Sequence, residues 1–193
     1  MSPVAVILYE DNGGPVKGFG LHALVVACVA DELGVEVFAL AGKLDGRPMN
    51  GAANIVRSCK RDIHRLGPQG QTVFALIDDD RIRDHVKGVD ARTAEDVVVR
   101  AIKSQSDAPA QLEVFLLKKN TETVIEAAKE CDRSLPDDAV AQALAKNLAQ
   151  RDRLLNNVAY SGVRAVRDCI RGKIPALHRL VTALSAVVAA SPT

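Results

Sequence analysis

Short apolar runs punctuate the first part of the chain, and amphipathic or polar stretches separate them. "VAVILY", Val4 to Tyr9, is continuous and does not alternate, the pattern of a strand covered on both faces. "VEVFALA", Val35 to Ala41, reads as a second strand, "TVFALI", Thr72 to Ile77, as a third, and "LEVFLL", Leu112 to Leu117, as a fourth. Between them the spacing of apolar positions predicts helices over about 21–33, 52–66 and 93–104. Gly34 follows the first helix in the place of a C-terminal cap, and "GPQG" ends the second. "NTETVIEAAKE" opens a further helix, with Asn120 or Thr121 as its N-cap. "EDNGGPVKGFG" and "GKLDGRPMNG" read as loops.

Strands that alternate with helices predict an α/β fold: a four-stranded, mainly parallel, Rossmann-like sheet flanked by helices. From Pro136 onward no strand pattern appears, and helices are expected over about 137–158, 162–171 and 175–190. The expected organisation is an α/β domain over residues 1–133 and a helical extension over 134–193 packed on it. Ligand sites in such a sheet lie outside the carboxyl ends of the strands.

A net charge of +1 points to no partner by itself, so a nucleic-acid site has to be a local patch. Aromatic residues are only 3% and Trp is absent, which argues against a platform that stacks bases but not against one that grips phosphates. The four cysteines lie far apart with no CxxC pair, so zinc is not expected and reduced thiols of a cytosolic protein are. The N-terminus has no basic stretch before its apolar run, and no apolar run is long enough to span a membrane. A cytoplasmic protein without a membrane partner is the expectation.

The third strand ends in "IDDDRIRDH". Adjacent carboxylates repel and are costly to desolvate, so three in a row at the end of a buried strand need a reason. Glu10 and Asp11 end the first strand, and Glu122 lies just beyond the fourth. Acids from three segments thus reach one edge of the sheet. A hard cation such as Mg²⁺ or Mn²⁺ takes oxygen ligands and would turn their repulsion into attraction to a shared centre. Residues i and i+2 past a strand can point the same way, so Asp78 and Asp80 share the ion with Glu10 in this reading while Asp79 points away. Lys118 and Lys119, after the fourth strand, read either as a solvated pair or as a place where one lysine steadies a phosphoryl oxygen. Of the four histidines only His85 lies near the acids. Arg81 and Arg83 follow the aspartates directly and are expected to contact nucleic acid, and Arg164, Arg167 and Arg171 belong to a basic C-terminal cluster. That cluster reads either as a solvated helical face or as a set of phosphate contacts.

A glutamate after "VILYED", a D-x-D after "FALIDDD" and an acidic helix start after "LEVFLLKKNTETVIEAA" resemble the Toprim domain, closest to the form in OLD-family nucleases and small Toprim-like proteins of bacterial defence and toxin loci. The resemblance spans about residues 4–130. It implies Glu10 as general acid/base or metal ligand, Asp78 and Asp80 as Mg²⁺ ligands, Glu122 as a further acid, and Lys118 or Lys119 as a phosphate-side helper. It departs in the first loop, where Asp11 and Asn12 come before Gly13 and Gly14. The implied function is metal-dependent hydrolysis of DNA or RNA, gripping the phosphate backbone, in phage defence or a toxin system. Any ATPase is expected on a separate chain, and a homo-oligomer is the other partner to expect. "VILYEDN" also resembles a response-regulator receiver, with Asp78 as phospho-acceptor, which gives a second reading. A third is a non-catalytic Toprim-like subunit of a larger complex.

Overall fold

The computed structural model describes residues 3–11, 19–67, 70–118, 120–145 and 147–191. In chain order its strands and α-helices are β1 (Ala5–Tyr9), α1 (Gly20–Leu33), β2 (Leu44–Pro48), α2 (Ala52–Arg61), α3 (Ile63–Leu66), β3 (Val73–Asp78), α4 (Asp79–Ile82), α5 (Glu95–Ser104), β4 (Leu112–Leu117), α6 (Glu122–Cys131), α7 (Asp137–Leu144), α8 (Leu148–Tyr160), α9 (Arg164–Lys173) and α10 (Pro175–Ala190). They fall into two compact units. One comprises Met1–Asn12, Gly42–Asn120 and Ser191–Thr193, and the other Gly13–Ala41 and Thr121–Ala190. The division is not a cut of the sequence near residue 133, because α1 and α6 group with the C-terminal helices.

The first unit holds a four-stranded sheet in the order β2-β1-β3-β4, with every neighbouring pair parallel. This is the expected α/β, Rossmann-like fold. The register sets Val6 beside Val73 and Tyr9 beside Leu76, and Asp78 beside Leu117, so the acidic residues end β1 and β3 side by side. On one face Val6, Leu8, Ala75, Ile77, Val114 and Leu116 form a core with Ile55, Val56 and Cys59 of α2 and Val98 and Ile102 of α5. Those α2 positions recur at three- and four-residue spacing, the signature of a helix with one buried stripe. Residues of the other face, among them Ile7, Tyr9, Phe74 and Leu76, are equally buried. Unbroken burial along β1 explains its unbroken apolar sequence.

The second strand lies elsewhere than the pattern suggests. Val37–Leu40 is a 3₁₀ turn in the helical unit, and only Leu40 of it is buried. The strand is "LDGRP", which was expected to be loop. It sits at the edge of the sheet and, among the described residues, pairs only with β1, where a proline and a glycine cost no ladder on the outer side. Arg47 reaches Asp45 at 2.7 Å on its exposed surface.

In the helical unit α1 is apolar nearly all round and packs against α8 and α10. Its N-terminus approaches α8 so closely that a Cβ on Gly20 would meet the Asp152 carbonyl oxygen at 2.7 Å and the Leu155 Cβ at 2.9 Å. No side chain caps α1 from the preceding residue, Phe19. Buried Asp152 does so from α8 instead, its Oδ1 accepting the Gly20 N–H at 2.9 Å. Gly34, at φ 65°, closes the other end of α1 as expected. The single helix anticipated over 137–158 is two, and Asn147 Oδ1 caps the second by accepting the Gln150 N–H at 3.2 Å.

Cys131 on α6 and Cys169 on α9 form a disulfide across a sequence separation of 38, contrary to the expectation of four reduced thiols. The pairing is tertiary, between two adjacent helices, so no local spacing announces it. Cys28 and Cys59 are free and buried. No single helix among the described residues is long and apolar enough to cross a membrane.

Candidate active site

The strand order places a reversal between β1 and β3: the chain moves from β1 outward to β2, then returns past β1 to β3 and on to β4. The crevice at such a switch point is where open parallel sheets bind ligands. Glu10 and Asp11 follow β1 there, and Asp78, Asp79 and Asp80 end β3 and open α4.

Glu10 is pinned from three sides. Its N–H donates to the Leu76 carbonyl at 3.2 Å, and its carbonyl accepts from Gly51 at 2.7 Å. Its side-chain Oε2 accepts the Asp78 N–H at 2.9 Å. The residue is only 6% exposed. Burial pushes its carboxyl up to about 7; the negative charges of Asp80 and Asp11 push the same way, while the Asp78 N–H and Arg81 oppose them. An acid between β1 and β3 whose proton is held near neutrality is a chemically useful group.

Asp79 has a partner four residues on. It holds Arg83 at 2.8 Å, and Arg83 also donates to the carbonyls of Asp90 at 2.8 Å and Thr93 at 2.5 Å. Arg83, expected as a nucleic-acid contact, is therefore a staple for the loop after α4. Asp80 and Arg81 are exposed. Lys118 is exposed just after β4, and Lys119 lies outside the described residues. Glu122 opens α6 in the helical unit.

Two of the three C-terminal arginines are likewise committed to structure. Arg167 is buried, grips Asp31 at 2.6 and 2.9 Å, and donates to the carbonyls of Ala159, at 3.1 Å, and Gly162. The Asp31 hydrogen bond raises its already high pKa further. Arg171 pairs with Glu32. Arg164 is exposed and reaches Asp168 at 3.5 Å.

The turn after β2 is a part of the site that the apolar pattern misses. Met49 N–H donates to the Tyr9 carbonyl at 2.8 Å and Asn50 N–H to the Asp11 carbonyl at 3.2 Å. Asn50 and Gly51 both take positive φ, 57° and 113°, and the second is open to glycine alone. The Asn-Gly pair was the available signal.

The donor chemistry suits a hard divalent cation. Every candidate ligand is a carboxylate, and Mg²⁺ is commonly held by one or two carboxylates with water completing its shell. Glu10 and Asp80 feel each other's charge. Among the described residues no group of three or more His, Cys, Asp or Glu side chains is gathered to hold a metal ion.

No family model matches the sequence, and no curated protein matches it. Among solved structures the chain is similar to the C-terminal region of the Xanthomonas campestris pv. campestris OLD protein. The TM-score is 0.41 and the identity 16%, over 95% of this chain and 97% of that one.

Proposed function

We propose that this chain hydrolyses phosphodiester bonds of nucleic acid with a divalent cation, in the manner of a Toprim domain. The observation that carries the reading is the meeting of Glu10 and Asp78 at the switch point between β1 and β3, joined by the 2.9 Å hydrogen bond from the Asp78 N–H to Glu10 Oε2. Glu10 and Asp80, with Asp78 beside them, would hold Mg²⁺ or Mn²⁺. Such a cation supplies charge to a phosphoryl oxygen and acidifies water. Glu10 Oε1, the oxygen that the Asp78 N–H leaves free, would either face the cation or, with Asp78 and Asp80 holding the cation, take a proton from an attacking water. Lys118 or Lys119 steadies the phosphoryl charge. A role in phage defence or in a toxin system follows from the Toprim resemblance.

The test is a cleavage assay on supercoiled plasmid, single-stranded DNA and bulk tRNA, with Mg²⁺, Mn²⁺ or EDTA. Wild-type protein should cut at least one of them only with metal, and Asp80→Ala, an exposed position, should fold normally and not cut. Cutting that persists in the variant, or no metal-dependent cutting of any substrate, would refute the proposal.

The receiver reading draws on one observation: the order β2-β1-β3-β4, with an aspartate ending β3, is also that of flavodoxin-like phospho-acceptor domains. Against it, the described residues after β4 form helices and supply no fifth strand. Labelling of Asp78 by a small phosphodonor would favour it over hydrolysis.

A further inference from the structure

A groove of about 290 Å³ runs beside α2, lined by Ala53, Val56, Arg57, Lys60, Arg61 and His85. Its floor is small and apolar, and its rim carries three permanent cations and an imidazole. We propose that this groove holds phosphate groups of the nucleic-acid strand presented to the acidic edge; the inference rests on the function proposed above and supplies its missing grip.

Three observations support it. First, the cations are unspent. Arg47, Arg65, Arg83 and Arg100 of the same unit each face a carboxylate. The side chains of Lys60, Arg61 and His85 make no ion pair or hydrogen bond to the described residues, and the Arg57 side chain reaches only the neutral Asn54 Oδ1, at 3.0 Å. Basic residues in the last turn of a helix also complement its dipole, which accounts for Lys60 and Arg61 but not for Arg57 or His85. Second, both walls start at the acids. Gly51, just before α2, donates its N–H to the Glu10 carbonyl at 2.7 Å, and His85 follows the α4 turn that Asp79 opens. Third, the length suits a polyanion. The cations at residues 57 to 61 cover roughly 6 Å of helix at 1.5 Å per residue, matching about three phosphates at 3.4 Å axial spacing. Acids that would meet a scissile phosphate only through a cation thus continue into a stripe that attracts phosphates directly.

The test is binding without chemistry. A fluorescent duplex and its single strand are titrated by anisotropy in EDTA at several salt concentrations. The proteins are wild type, Arg57→Gln/Lys60→Gln/Arg61→Gln and Arg65→Gln. Glutamine keeps helix propensity, and circular dichroism with a thermal melt checks the fold. The triple variant should bind the duplex at least about tenfold more weakly at low salt, and its log K against log salt slope should fall by roughly two to three. Arg65→Gln should bind like wild type. A triple variant within about twofold of wild type with an unchanged slope, or a wild type that binds neither nucleic acid, would overturn the proposal. Because EDTA removes the cation, a loss of binding in the triple variant supports the groove even if the cleavage assay fails.

Discussion

Replacing Glu10 by Gln tests whether the site was built around a carboxyl that the fold prefers neutral. In the fold this group titrates at about 7, against an ordinary 4.5, chiefly because it is buried. A raised value means that the native state holds the proton more tightly than the unfolded chain. The stabilisation is therefore complete below about pH 4.5 and is lost as pH rises to about 7. The difference amounts to about 3 kcal/mol between the two limits. Glutamine keeps an oxygen to accept the Asp78 N–H and never ionises, so the variant lacks this dependence. Urea unfolding of both proteins in EDTA, from about pH 4 to about pH 9, gives a difference curve in which all other titrating groups cancel. That curve should climb in favour of Glu10→Gln by about 3 kcal/mol across the range. A flat curve, within about half a kcal/mol, would mean that Glu10 is solvated in solution and that the site is not the desolvated crevice described.

Other outcomes follow from the helical unit. Arg167→Ala removes the partner of Asp31 and strands that carboxylate, so urea unfolding should show a loss of about 3–5 kcal/mol, and Arg167→Lys should restore only part of it. Unchanged stability would show that the fork to Asp31 does not persist in solution. Gly20→Ala forces a methyl group into the α8 backbone and should cost about 1–3 kcal/mol in the same assay; a neutral result would place α1 farther from α8 than described. The Cys131–Cys169 link closes a separation of 38 residues, and its reduction should lower stability by about 2–4 kcal/mol. Alkylation of the denatured, unreduced protein, read by mass spectrometry, should label Cys28 and Cys59 alone, and labelling of all four would contradict the link.

Much of the sheet was legible because β1, β3 and β4 are buried along nearly their whole length and so carry near-continuous apolar runs. β2 was not, since an edge strand with one neighbour has no need of such a run, and an apolar segment nearby, Val35 to Ala41, imitated one. The acids at the ends of β1 and β3 could be located because strand ends are where an apolar run stops. What composition and spacing could not convey was commitment. Arg83 and Arg167 look like free cations in the sequence, yet one is held by Asp79, four residues back, and the other by Asp31, 136 residues away. The cations with no such partner, on α2, drew no attention because their neighbours Ala52, Ile55, Val56 and Cys59 mark only the buried side of the helix. Tertiary pairing separates structural charge from available charge, and it is not a local property.

The contact between Gly20 and Asp152 also has a consequence for making the protein. The two residues are 132 positions apart, so α1 leaves the ribosome on the order of ten seconds before the helix that caps it. Throughout that interval an apolar helix has no permanent cover, which invites chaperone engagement during synthesis and slows closure of the helical unit. A polypeptide truncated at Arg133 would retain α1 and discard α8 and α10, the helices it packs against. Expression of that stretch alone should give inclusion bodies rather than a smaller soluble domain.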